Sequence, residues 1–208
     1  PGSGYGAHRG GQLEEMLGSC MRKESGIRGS ETLRRGEPNR PCRRDHRLHG
    51  LAGAAFAGFP KTEEDVYSRI LSRQCYSAVT GACMLVKRSV FEAAGGFSED
   101  FGLAFWDLDF CLRVGALGKR VIYEPYAEFY HYEDREKLQK EAKERLEEFH
   151  QAIALFEERW SELIRTGDPF YNPNLTLEKK IFFKTELVSK GDLFYGKERQ
   201  EAENKEPC

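Results

Sequence analysis

The run Phe105-Trp106-Asp107-Leu108-Asp109-Phe110-Cys111-Leu112-Arg113 constrains the fold more than any other stretch of the chain. It sets two carboxylates at i and i+2 beside an aromatic residue, where a loop hands over to a short helix with Leu108, Cys111, Leu112 and Gly115 on one face. Carboxylates at a helix start have two uses. They accept hydrogen bonds from the unpaired first N–H groups as caps, or they take part in chemistry as bases, and the residue types alone leave both open.

The flanks of this run give the fold class. Residues 76–86 end in a nearly continuous apolar run, Ala82-Cys83-Met84-Leu85-Val86, which predicts a strand buried on both faces, as in an α/β sheet. Ser89 with Glu92 reads as a capping box that opens a short helix, closed by Gly95 and Gly96 before Phe97. Residues 98–104 form a loop with Gly102 as its flexible point. Beyond the central helix, Gly118 stands at the C-cap, residues 121–123 read as a strand that Pro125 ends, and Phe129-Tyr130-His131-Tyr132 as an aromatic strand bearing one histidine. From 134 to 165, Leu138, Ala142, Leu146, Phe149, Ile153, Phe156, Trp160 and Leu163 recur in steps of four and three, which predicts one long amphipathic helix stopped by Gly167 and Pro169.

The ends of the chain read differently. Leu13, Met16, Leu17 and Cys20 predict a short amphipathic helix. Residues 25–47 are then mostly Arg, Gly, Pro and Ser, with too few apolar side chains to offset the entropy of ordering, so residues 1–50 are expected to be an irregular, largely disordered basic segment. Residues 51–59 read as a strand or loop, and Thr62 with Asp65 opens a helix through Val66, Ile70 and Leu71. Residues 51–178 make the foldable domain, and 179–208 a charged flexible tail.

Charge and cysteines exclude several classes. Residues 1–50 carry ten basic and six acidic side chains, against 22 and 28 in the rest, for a net charge of −2. The basic arm lacks interleaved aromatics for base stacking, so nucleic acid is not an expected partner. No apolar run approaches the ~20 residues that span a bilayer and no signal-like apolar core stands at the start, which predicts a cytoplasmic chain without a transmembrane segment and leaves peripheral membrane contact open. The six cysteines form no C-x-x-C pair and are expected to be reduced. Cys42, His46 and His49 lack a second paired cysteine at finger-like spacing, so zinc is not expected.

Four motifs in order carry a resemblance: Thr80-Gly81-Ala82-Cys83-Met84-Leu85-Val86-Lys87-Arg88-Ser89-Val90-Phe91, Gly95-Gly96-Phe97, Asp107-Leu108-Asp109-Phe110-Cys111-Leu112-Arg113, and Tyr130-His131-Tyr132-Glu133. Together they resemble the acceptor half of family-two glycosyltransferases with the GT-A fold, over roughly residues 51–178. The resemblance implies a partial GT-A, Rossmann-like sheet with flanking helices and a long C-terminal helix. It also implies inverting transfer of a sugar, a hexose, from a nucleotide-diphosphate sugar to a hydroxyl of a glycan acceptor.

By the same resemblance Asp107 is the catalytic base, while Trp106, Asp109 and Gly81 are acceptor-site or structural residues. His131 corresponds to a histidine near the donor diphosphate that serves as a metal ligand, with Mg²⁺ or Mn²⁺ as the implied cofactor; a histidine bonded within an aromatic strand is the other reading. Position 106 is usually Glu or Asn in that family and is Trp here. Arg159-Trp160 matches the end of a Gln-x-x-Arg-Trp signature, but Phe156 stands at the Gln position and the motif is not claimed.

The family's donor-binding half has no counterpart in these residues, so the chain is expected to begin just after the donor site and to need a donor-domain partner. Residues 25–50 have the composition that a lost reading frame produces. Two rivals to an enzyme stand beside this reading: a non-catalytic remnant, and an interaction module using the long helix as its contact face.

Overall fold

One long strand is shared by most other strands of the sheet. The computed structural model describes residues 4–7, 11–34, 45–46, 52–53, 71–102, 104–132, 140 and 144–171. Its elements in chain order are β1 (Gly4–Ala7), α1 (Gln12–Cys20), β2 (Ser25–Arg34), the small pair β3 (Asp45–His46) and β4 (Ala52–Gly53), β5 (Gln74–Tyr76) and β6 (Met84–Val86). There follow α2 (Arg88–Ala93), a 3-10 turn (Glu99–Phe101), α3 (Trp106–Ala116), β7 (Arg120–Tyr132), α4 (Leu146–Arg159) and α5 (Ser161–Thr166). β7 lies parallel to β2 on one side and antiparallel to β5 and then β1 on the other, while β6 pairs antiparallel with the far side of β2. The architecture is α/β, a mixed five-stranded sheet with helices on both faces.

The two faces differ in chemistry. On one, Ile27 of β2 and Val121 of β7 join Leu108, Cys111 and Val114 of α3, Val90 of α2 and Phe156 of α4 in the core. α3 sits so close that a methyl group at Gly26 would lie 2.5 Å from Cγ1 of Val114, which only glycine avoids. On the other face α1 covers a polar network. Glu124, fully buried, accepts from Arg73 Nε at 2.7 Å, from Arg73 Nη2 at 3.0 Å and from Ser19 Oγ at 3.0 Å, and Arg28 Nη2 donates to the Ser19 carbonyl at 2.7 Å. Burial pushes the Arg28 guanidinium below its usual pKa, and its bond to Glu124 raises that of Arg73.

Several expectations meet corrections here. Residues 25–34 are not disordered: they form β2, an interior strand of the sheet between β7 and β6. Composition misjudges them because their order comes from backbone pairing on both edges, with Ile27 in the core and Arg28 held by hydrogen bonding. The apolar run at 82–86 yields a half-buried three-residue strand beside β2, not a strand buried on both faces. α2 begins at Arg88 with Lys87 as N-cap and no side-chain cap, so Ser89 and Glu92 make no capping box; Glu92 instead accepts from Arg88 Nε at 2.8 Å.

Pro125 does not end β7. The register with β2 shifts from Ser30↔Glu124 to Glu31↔Glu128, and the proline, which has no N–H to give, lies within that shift. The long helix is also broken. α4 stops at Trp160 (φ −115°, ψ 23°) and α5 resumes at Ser161. α1 forms where the spacing places it, yet it buries Gln12, Met16, Ser19 and Cys20 and leaves Leu13 and Leu17 exposed, because the sheet beneath it is polar. The expected helix through Val66, most of the segment 134–145 and the tail from 172 lie outside the described residues, apart from Leu71, 140 and 144–145.

Candidate active site

Asp107 stands in the first turn of α3, as its second residue, and not at the cap. The cap position belongs to Phe105, the one non-glycine residue with positive φ (65°) among the described residues. A left-handed conformation costs an L-residue about 1–2 kcal/mol. What holds it is α4: the Phe105 ring stacks on Phe156 (centroids 5.1 Å apart, planes at 28°) and leans on Phe149 at 5.9 Å. The turn at Phe105 presents Trp106 and Asp107 to the loop ahead of β6.

That loop meets them at Gly81. The Gly81 N–H donates to Oδ2 of Asp107 at 2.8 Å, and the Leu108 N–H to Oδ1 at 3.0 Å. The indole of Trp106 lies directly on the glycine, where a methyl group would be 2.1 Å from Cη2, and its other side meets Phe97 edge-on at 5.0 Å. The loop is pinned at its ends. Thr80 Oγ1 accepts from the Ala82 N–H at 3.2 Å, and the buried Ser77 hydroxyl donates to Asp168, whose Oδ1 also accepts from the Phe170 N–H at 2.8 Å.

Asp109, two residues on, has other surroundings. It is fully buried, and Oδ2 accepts from Arg113 Nε at 2.8 Å while Oδ1 accepts from Trp160 Nε1 at 3.1 Å and Arg159 Nη1 at 3.3 Å. Arg113 continues to the carbonyls of Ala94 and Gly96. Arg159 reaches Asp100 at 2.9 Å and Ser98 at 3.3 Å and stacks over Phe101 at 4.9 Å. Asp109 therefore does not cap α3; it ties α3 to the break between α4 and α5. The break itself follows, since Trp160 must leave the helical path to aim its indole N–H at Asp109.

The structure thus brings Gly81, Trp106 and Asp107 into contact and sets Asp109 apart from them as an ion-pair centre. His131 lies in β7, its backbone opposite Tyr5 of β1 and Arg34 of β2, with its side chain outside what is described. Among the described residues no three His, Cys, Asp or Glu side chains gather to hold a metal ion. No helix among the described residues is long and apolar enough to cross a membrane. Sequence reading missed Arg113 and Arg159 as partners of Asp109. The first was legible as an i,i+4 pair; the second, fifty residues away, had no local signal.

No family model matches the chain. It is 38% identical over 136 residues to the uncharacterized protein y4gI of Sinorhizobium fredii strain NGR234, covering 65% of this chain and 15% of that protein. It is 29% identical over 169 residues to the O-antigen biosynthesis protein RfbC of Myxococcus xanthus, covering 79% of this chain and 13% of that protein. Over 54 residues it is 39% identical to the N-acetylglucosaminyl-diphospho-decaprenol L-rhamnosyltransferase of Mycobacterium tuberculosis, covering 26% of this chain and 18% of that enzyme. The chain spans less than a fifth of the length of each. Its distant relatives thus include proteins named for glycosyl transfer and polysaccharide biosynthesis, which supports a glycosyltransferase-like role at the level of family.

Proposed function

We propose that this chain is the acceptor-side part of an inverting glycosyltransferase of the GT-A type and that Asp107 is its general base. The observation that carries the reading is the division between the two carboxylates. Asp109 serves two guanidinium groups and an indole N–H that tie α3 to the α4–α5 break, whereas Asp107 is oriented in the first turn of α3 by the Gly81 and Leu108 N–H groups, beside the Trp106 ring. A base needs a fixed position beside the reacting hydroxyl. The first turn of α3 supplies the position.

In the proposed reaction an acceptor hydroxyl loses its proton to a carboxylate oxygen of Asp107 as its own oxygen attacks the anomeric carbon of the donor sugar. The new carbon–oxygen bond forms on the face opposite the departing nucleoside diphosphate, which leaves with the electron pair of the broken bond, so the anomeric configuration inverts. The nucleotide-diphosphate sugar is held by a donor-binding half, in the same polypeptide or a partner chain, and a glycan is the acceptor. Mg²⁺ or Mn²⁺, if used, belongs with the donor diphosphate.

The test is sugar transfer by a protein that joins this chain to a donor-binding half. Asp107→Asn keeps the size and one acceptor oxygen and should lower turnover by about 10² to 10⁴, the range for removing a general base. Turnover equal to the parent would end the assignment. The rival reading, a non-catalytic interaction module, draws on the low exposure of Asp107, 3%; it predicts no transfer in either protein.

A further inference from the structure

The proposed base is covered. Asp107 is 3% exposed, and the residue that donates to its Oδ2, Gly81, lies under the indole of Trp106. The indole is in turn braced by Phe97 at 5.0 Å, an exposed ring at the rim of the core. The backbone that carries the indole is strained, since Phe105, immediately before it, stands at φ 65° with its ring packed on those of α4. A covering group on a strained support is suited to a second position.

We infer that Trp106 is the gate and the specificity-determining residue of this site: no acceptor reaches Asp107 until the indole leaves Gly81. The inference rests on the reading of Asp107 as the base for its meaning, though not for its test. Opening the gate frees the space that the indole fills beside the Gly81 backbone and the Phe97 ring. A sugar ring with its C–H face on Phe97 and its hydroxyls toward the polar Gly81 backbone fits that space, and an extended charged chain does not. The switch needs no movement of α3, because rotation about the Trp106 side-chain bonds is enough.

The test reads access to Asp107 directly, in the full chain, by carbodiimide-driven coupling of glycinamide to carboxylates followed by peptide mass spectrometry. Asp100, whose side chain is 64% exposed, is the fast reference, and fully buried Asp109 is the slow one. In the parent, Asp107 should label close to the rate of Asp109. Two changes act on the gate from opposite sides. Trp106→Ala removes the ring. Gly81→Ala keeps it but pushes a methyl into its place, at a position whose φ is not in the left-handed region and whose N–H to Asp107 survives.

Each change should raise Asp107 labelling about tenfold or more, with Asp109 still protected, as expected for local uncovering rather than unfolding. A variant that unfolds labels Asp109 as fast as Asp100, and the other variant then decides. Asp107 labelling in the parent as fast as Asp100, or no rise in a variant that keeps Asp109 protected, would overturn the gate. Failure of sugar transfer with normal gating would instead count against Asp107 as the base.

Discussion

Replacing Asp109 with Asn removes one negative charge from a site where three donors converge and nothing else changes in size. Asn can still accept through one oxygen, so Trp160 and Arg159 keep a weaker partner. Its amide nitrogen, however, is then turned toward Arg113 Nε, donor against donor, at a contact that is now 2.8 Å. Breaking a fully buried ion pair costs about 3–5 kcal/mol, and this one is discounted because Arg113 and Arg159 are 24% and 32% exposed and hold other acceptors, which leaves about 2–3 kcal/mol. That is a large share of the roughly 5–15 kcal/mol by which domains are stable. Urea unfolding followed by tryptophan fluorescence measures it, as Trp160 reports the site itself. Asp107→Asn, at a carboxylate that the Gly81 and Leu108 backbone N–H groups hold, should shift the midpoint less. If the two variants unfold at the same urea concentration, or Asp109→Asn costs under about 0.5 kcal/mol, the account of Asp109 as the tie between α3 and the α4–α5 break is wrong.

Two further outcomes follow from buried and paired charge. Arg28 is fully buried with Nε and Nη1 unpartnered among the described residues, so Arg28→Met should be neutral or stabilising, whereas Glu124→Gln, which removes the charge and leaves one acceptor oxygen for the three donors of Arg73 and Ser19, should cost about 1–3 kcal/mol; both are read by urea unfolding, and a destabilised Arg28→Met would refute the first. The bond from Arg159 holds the exposed Asp100 carboxyl below its usual pKa. A depressed carboxyl contributes stability that is present above the unfolded value, about 3.9, and lost as pH falls through the folded one, so amide protection in α4 should hold from neutral pH down to that range and decline below it. Loss of protection near pH 6 would point to another group.

What the sequence showed and what it hid divide by distance along the chain. α1, α3 and the start of β7 were legible because each is announced by periodicity within about ten residues. Asp107 entered as a candidate by resemblance, and its contact with Gly81, 26 positions earlier, had no local signal. β2 escaped because a strand held on both edges needs little from its own side chains. Phe105 in a left-handed turn could not be read locally, since its propensity argues against that conformation and only the rings of a helix forty residues later overrule it. Trp160 was read as one more apolar position in a helix, whereas a buried carboxylate elsewhere draws it out of line.

The place of β7 in the sheet bears on the order of events during synthesis. β1, β2 and β5 all pair with it, and the β2 ladder begins with Ser25 opposite Arg120. Of the five-stranded sheet, a nascent chain that has not yet emerged as far as residue 120 can close only the β2–β6 pair, so β1, β5 and one edge of β2 stay open on the ribosome, waiting for a single late segment. Contacts of such long span make folding slow, and the open strand edges invite pairing with neighbouring chains. Synthesis past Tyr132 is the step that turns these loose pieces into a sheet.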